Sequence, residues 1–304
     1  MSEKPFLSVY GHVTIDRIIA LDEFPKLNES VDAVSNKTSL GGTGTNIAAS
    51  AARLGVPTAI CAFVGEDFPS EYFAEISSSG LATDELVKVR GAESSQAMIF
   101  NNSRLEQKVV FYQGPQGGAS KLGIRLTANA SASKHVHFCT GDPEYYVSLM
   151  GQLHAPERKI SLDPAQELYK MWGRTNLSEA LAHADCLFCN EYEAKVMEGY
   201  LGLDDIMDAD KALVVRTEGA AGSTAKIDGE IVRIPTVCGD GFVDATGAGD
   251  AYRAGLYAGL YNGYGVRDSL ILASAVSSFV VEKVGALTNT PTWDMVLKRA
   301  RRYL

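Results

Sequence analysis

The sequence predicts an α/β protein, with a mostly parallel central sheet covered by helices on both faces and a small second sheet beside it. Three observations predict this. Short apolar strand-like runs alternate with longer helical patterns through most of the chain, as βαβ units require. Two regions, 17–40 and 95–113, break that alternation with extended segments. The length, 304 residues, suits two domains or one large α/β domain with an insertion, at roughly 150 residues per domain.

The first strand is Leu7–Tyr10, within an apolar run from Phe6 to Tyr10 that is too short for a signal-peptide core. Further strands are expected at Thr58–Val64, Val136–Cys139, Ile160–Leu162, Cys186–Cys189 and Leu213–Val215. Between them fall helices near Asn46–Leu54, Pro69–Ser79, Glu144–Leu153, Leu177–His183 and Glu191–Tyr200. The chain ends on three consecutive helices, Ala248–Tyr261, Arg267–Lys283 and Trp293–Arg301. Leu270, Ala273, Ser274, Ser277 and Val281 give the middle one its helical period. In the first irregular region Ile18–Leu21 and Val31–Leu40 are extended; in the second, QAMIF and KVVFY flank the polar turn NNSRLEQ as a hairpin. The expected division is a large α/β domain from 1–16, 41–92 and 119–304, with 17–40 and 93–118 as two insertions forming the small sheet.

Composition excludes several classes. Hydrophobic residues make up 46% and charged residues 21%, which rules out disorder, collagen-like sequence and a disulfide-stapled miniature. The 28 basic and 37 acidic residues leave a net charge of −9, so the surface repels a phosphate backbone and no nucleic-acid partner is expected. No stretch approaches the roughly 18 apolar residues of a membrane helix, so no membrane partner is expected either. Five cysteines, an odd and sparse number, suit reduced thiols and a cytoplasmic setting. Cys186 and Cys189 form one CxxC, with His183 upstream, but no second pair of ligands stands at similar spacing. They read as small thiols of a buried strand.

The strongest chemical signal is Asp244-Ala245-Thr246-Gly247-Ala248-Gly249-Asp250, which opens a helix. Gly247, Ala248 and Gly249 let backbone N–H groups approach a ligand, and the helix dipole adds positive charge there, making an anion site. Asp250 is then either a helix-start carboxylate or a general base taking a proton from an attacking hydroxyl. The cluster Gly41-Gly42-Thr43-Gly44-Thr45-Asn46 also enters a helix, but it matches neither a Walker A loop nor a GxGxxG fingerprint. Asp16 follows the first strand at the carboxyl end of the sheet, where open α/β folds bind ligands. Asn190 and Glu193 share a helix face and suit either a capping box or hydrated Mg²⁺. Thr217, Gly219 and Gly222 form a glycine turn after a strand, open to a close backbone approach by a nucleotide.

VDATGAGDAYRAG resembles the C-terminal signature of the ribokinase-like (PfkB) carbohydrate and nucleoside kinase family. GGTGTNIA resembles that family's di-glycine region, NEYE its NxxE motif and TEGAAG its TxGxxG turn, all in family order and together spanning essentially the whole chain. TGDPEYY, LDPAQ, AYRAG and SSFVVEKVGALTNTPTWD most resemble its archaeal nucleoside kinases.

The resemblance implies a ribokinase-like three-layer α/β/α domain with a β-sheet lid. It implies Asp250 as catalytic base, with Gly247, Ala248 and Gly249 as the anion hole. Asp16, Gly42 and Asn46 would hold sugar hydroxyls, with Asp142 beside them. Asn190 and Glu193 would organise Mg²⁺ through water, and Thr217, Gly219 and Gly222 would line ATP. Asp244, Thr246, Val280, Gly285 and Asn289 match a site at which some members bind a monovalent cation such as K⁺. Two departures stand out: the glycine cluster lacks the lysine that ribokinase has at its third position, and residues 277–285 hold no base-specific hydrogen-bonding set.

The expected function is therefore an ATP-dependent nucleoside kinase acting on the 5′-hydroxyl. Ribokinase- or fructokinase-type sugar kinase is the alternative, and a silent binding regulator is disfavoured because binding alone needs no base. Gln96, Met98 and Phe100 share a strand face, as do either Val109 and Phe111 or Val110 and Tyr112; such a wall stacks on any base, so broad base tolerance is expected. The same strands expose edges and apolar faces, which suits a homodimer through the lid.

Overall fold

The computed structural model describes residues 4–104 and 106–304; Leu105, within the expected hairpin turn, lies outside the described residues. The chain opens with β1 (Leu7–Tyr10) and leaves at once for a second sheet, where β2 (Thr14–Leu21) and β3 (Ala33–Gly41) pair antiparallel. It returns through α1 (Thr43–Arg53), β4 (Thr58–Gly65), α2 (Ser70–Ser78) and β5 (Ala82–Val89), then leaves again for β6 (Gln96–Asn101) and β7 (Gln107–Tyr112). The middle of the chain runs α3 (Ala128–Ala132), β8 (His135–Phe138), α4 (Pro143–Leu153), β9 (Lys159–Leu162), α5 (Arg174–His183), β10 (Cys186–Asn190), α6 (Glu191–Leu201) and β11 (Leu213–Thr217). A hairpin of β12 (Ser223–Ile227) and β13 (Glu230–Ile234) precedes α7 (Ala248–Tyr261), α8 (Val266–Val280) and α9 (Trp293–Ala300).

The large sheet has nine strands in the order β13-β12-β11-β10-β9-β8-β1-β4-β5. All its pairings are parallel except those of β12 and β13, at one edge. Side chains alternate between two cores, as a pleated strand dictates. Ile60, Ala62 and Val64 of β4 pack with Ile47, Leu256, Val276 and Val296 on one face. Cys61 and Phe63 of the same strand pack with Leu149, Leu177 and Met197 on the other. Burial on both faces explains why the parallel strands read as unbroken apolar runs.

The small sheet, ordered β3-β2-β6-β7, is antiparallel except between β2 and β6. Its first strand begins earlier than the break expected after residue 16, because pairing runs down to Thr14 opposite Gly41. Asp16 is thus the third residue of a small-sheet strand rather than a loop residue after β1.

Other departures have equally local reasons. The helix expected to reach Lys283 stops at Val280, since the Val281 carbonyl accepts from Val243 and Asp244 N–H groups and the chain turns away. β5 has no apolar run to mark it, because Asp84, Glu85 and Lys88 make it polar, a common dress for an edge strand. β12–β13 carried a legible signal, the Asp228-Gly229 turn with φ of +48° and +93°.

Candidate active site

The amino end of α7 sits at the carboxyl edge of the large sheet. Gly247 takes the left-handed conformation at φ +76°, and Ala286 occupies the space a Cβ would need, so only glycine fits this corner. The Ala248 N–H donates to the Ala245 carbonyl (3.1 Å). That corrects the expected anion hole: Ala248's amide belongs to the turn. Among the described residues, the Gly249 and Asp250 amides have no protein acceptor, and they carry the exposed positive end of a 14-residue helix.

Asp250 projects from the same turn, half-buried. Its Oδ2 accepts from Asn46 Nδ2 at 2.8 Å. Burial pushes its carboxyl up to about 6, against the weaker downward pull of the Asn46 bond and of Arg253.

One turn along, Arg253 is buried and forked onto Asp163, with Nε 2.8 Å from Oδ2 and Nη2 3.4 Å from Oδ1. His137 Nε2 lies 3.5 Å from the same carboxylate, and its Nδ1 is 2.8 Å from the Tyr257 hydroxyl. Burial raises Asp163, but Arg253 and His137 outweigh it and hold the carboxyl below its ordinary value. Glu193 is pushed up to about 7, first by burial and then by Asp163. Arg253 is therefore the buried cation among the carboxylates Asp163, Glu193 and Asp250. AYRAG and LDPAQ carry Arg253 and Asp163, and only the fold shows that they meet.

Beside Asp250, α1 begins hard against the end of β1. Gly42, at φ +98°, stands against the His12 carbonyl where any Cβ would collide, and the Gly44 N–H donates to that carbonyl at 3.1 Å. This start sets Asn46 beside Asp250. Asp16 accepts from Thr14 Oγ1 at 2.5 Å and fills the space beside Gly41; burial raises its carboxyl.

Two residues expected at the substrate, Asp142 at the sugar and Phe100 at the base, fall elsewhere. Asp142 caps α4, its Oδ1 accepting from the Glu144 N–H (3.0 Å) and its Oδ2 from the Ser120 N–H (2.8 Å), so both oxygens are committed. Phe100 lies on the face opposite Asp16: Asp16, Ala97 and Phe111 share one register row, whereas Phe100 aligns with Ile19 and Lys108. Side chains alternate along a strand, so the face carrying Asp16 presents Ile99, Val109 and Phe111 instead.

At the third corner, Asn190 and Glu193 form a reciprocal capping box, Glu193 N–H to Asn190 Oδ1 and Asn190 N–H to Glu193 Oε2, both 2.8 Å. The other Glu193 oxygen has no protein partner among the described residues, so the pair caps the helix and still offers an acidic oxygen to a hydrated cation. Thr217 ends β11 in register with Asn190, and the turn carrying Gly219 and Gly222 closes through Glu218 N–H to the Gly222 carbonyl (2.8 Å). Asp244 accepts from Thr246 N–H and Oγ1 (2.9 and 2.7 Å) and from Gly285 N–H (2.9 Å). Asn289 donates to the Phe279 carbonyl (2.5 Å) beside Val280, the last residue of α8.

A carboxylate against free helix-start amides suits proton abstraction beside an anion. Residues 4–293 match the model of the pfkB family carbohydrate kinases. The chain belongs to that family. Two curated relatives are the nucleoside kinases of Methanothermobacter thermautotrophicus, 33% identical with 98% of this chain and 96% of that one covered, and of Methanocaldococcus jannaschii, 30% identical with 98% and 97% covered. The crystal structure of the Methanocaldococcus jannaschii nucleoside kinase superposes with a TM-score of 0.90 at 29% identity, covering 98% and 99%. As a pfkB-family kinase, this chain is a phosphotransferase with an alcohol acceptor. Its ribokinase-like fold gives the second sheet the position of a lid.

Proposed function

We propose that the protein is an ATP-dependent nucleoside kinase that phosphorylates the 5′-hydroxyl of a ribonucleoside. The observation that carries the reading is Asp250, held by Asn46 at 2.8 Å against the open Gly249 and Asp250 amides. Asp250 takes the proton from the attacking hydroxyl while those amides receive the charge developing on the transferred group. Asp16, with Gly42 and Asn46, orients the sugar hydroxyls. Thr217, Gly219 and Gly222 line the nucleotide, and the free oxygen of Glu193 suits a water-held Mg²⁺. That ion would neutralise charge on the phosphates. The residues around Asp244 mostly bond one another, and no step is assigned to a monovalent cation there.

The nucleoside rather than the free sugar is favoured by the lid face carrying Asp16. Ile99, Val109 and Phe111 give it an apolar wall that ribose does not need and that stacks on any base, so base tolerance is broad. The full-length likeness to two nucleoside kinases supports the same reading. The lid also serves as the association surface of a homodimer, and the sparse, unpaired cysteines suit a cytoplasmic setting. The deciding experiment is an ADP-release assay over inosine, guanosine, adenosine, cytidine, ribose and fructose. The nucleosides are expected to have the higher kcat/KM; a higher value for ribose or fructose overturns the assignment in favour of a sugar kinase.

A further inference from the structure

Arg253 reaches back along α7 to the turn that opens the helix. Asp163 takes its Nε and Nη2, at 2.8 and 3.4 Å, while its Nη1 donates to the Gly249 carbonyl at 3.4 Å. A Cβ built at Gly249 would meet that same Nη1 at 3.4 Å. Apart from the chain neighbours and the helix's own backbone, it would meet no other described atom within 4 Å. The guanidinium therefore stands directly against the residue whose amide is open. Phe188 of β10 backs it, with the ring centre 5.5 Å from Cζ.

Arg253 is 5% exposed and Asp163 2%. A buried ion pair is a poor device for stability alone, because apolar side chains of similar volume often do as well or better. What this pair adds is position and charge at the head of α7.

Asp250 stands three residues before Arg253, on the same side of the helix. The titratable and charged groups facing its carboxylate come from several elements. Arg253 lies on α7 itself, Asp163 follows β9, Glu193 lies on α6, and Cys139, buried as a neutral thiol, follows β8. Asn46 of α1 adds a neutral amide donor. Arg253 is the cation of this set. Burial is the largest influence on Asp250 and raises its carboxyl; Asn46 and Arg253 pull it down, and Asp163 pushes it back up.

We infer that Arg253 and Asp163 are positioning residues for phosphoryl transfer: forked together, they brace the turn that presents the Gly249 and Asp250 amides and set an opposing charge beside the Asp250 carboxylate. The inference rests on Asp250 acting as the base and is independent of which acceptor the protein takes. The brace and the charge are separable, since a lysine supplies the charge without the planar fork.

The test is the pH dependence of kcat/KM for the full chain and its variants, with ATP, Mg²⁺ and the fastest acceptor of the panel above. The acid limb of that profile reports the base of the enzyme before the acceptor binds. Arg253→Met is expected to move the limb up by about one pH unit, the lower end of what a close opposite charge supplies. Asp163→Asn should move it down, because losing a like charge favours the carboxylate. Arg253→Lys should leave the limb near its wild-type position while kcat falls about tenfold and KM for the acceptor changes little, as misplacement of the turn requires. A loosened fold lowers activity at every pH and leaves the limb in place, so shifts of opposite sign separate positioning from mere stability. Where Arg253→Met does not fold, Arg253→Lys and Asp163→Asn carry the test. Limbs that stay put, or that move the same way in Arg253→Met and Asp163→Asn, overturn the inference, as does Arg253→Lys with wild-type kcat. The base assignment then stands so long as Asp250→Asn loses turnover; Asp250→Asn with wild-type turnover overturns both.

Discussion

A carboxylate that must take a proton near neutral pH needs its pKa moved upward, and burial does this at Asp250, taking it to about 6. Turnover should therefore fall as pH drops below about 6, and Asp250→Asn should lower kcat by about 10²–10⁴ while substrate still binds. The same shift marks a stability cost. The native state holds this proton more tightly than the unfolded chain, so the wild type loses stability as pH rises from about 4 through about 6. Asp250→Asn should then melt higher than wild type at pH 8, by about 1–3 kcal/mol, with the gain gone below pH 4. Thermal melts at the two pH values check this; an equal or lower melting temperature at pH 8 contradicts it. Arg253 has the opposite character. Arg253→Met strands Asp163 in the interior and should cost about 3–5 kcal/mol in urea unfolding, with Arg253→Lys losing less. Of these residues the sequence pattern singled out only Asp250, and it left a helix-start carboxylate and a general base both open. Arg253 and Asp163 stand 90 positions apart, and no local pattern links them. Phe100 shows a different limit: a period of two puts Gln96, Met98 and Phe100 on one face but does not say that Asp16 lies on the other.

Between elements, what was legible followed from burial. Strands covered on both sides spell themselves out as apolar runs, as β1 and β4 do. Strands at an edge need not, and β5 is hidden by its charges. The closest helix contact was equally silent in the sequence. α7 meets α8 where Gly255 lies against Ala273, and a Cβ built at Gly255 would come within 2.7 Å of the Ala273 Cα. Helix propensity alone says that replacing this glycine stabilises. Packing says otherwise, because the obstacle is backbone and cannot rotate away. Gly255→Val should therefore destabilise the fold by about 1–3 kcal/mol, read as a lower urea midpoint. A gain in stability would show that the helices part without penalty. Since α7 carries Asp250 at its start, the variant should also lose activity before it unfolds.

At the scale of the whole molecule, the lid leaves Val110 and Tyr112 exposed at 54% and 46% on the face away from Asp16, on a four-stranded sheet with two open edges. Apolar side chains beside unpaired strand edges favour association. Light scattering at micromolar concentration is expected to give twice the chain mass, and Val110→Lys to return it to one; a wild-type monomer rules this out. The lid's attachment has a wider consequence. The chain passes between the two sheets four times, after β1, β3, β5 and β7, so Asp16 and the apolar wall belong to one sheet while α7 and the nucleotide turn belong to the other. Heritable change is thereby partitioned. Under the proposed assignment, substitutions on the lid face would reshape the wall that meets the acceptor, and a lineage could drift from one acceptor to another while the aspartate at the head of α7 stays where it is.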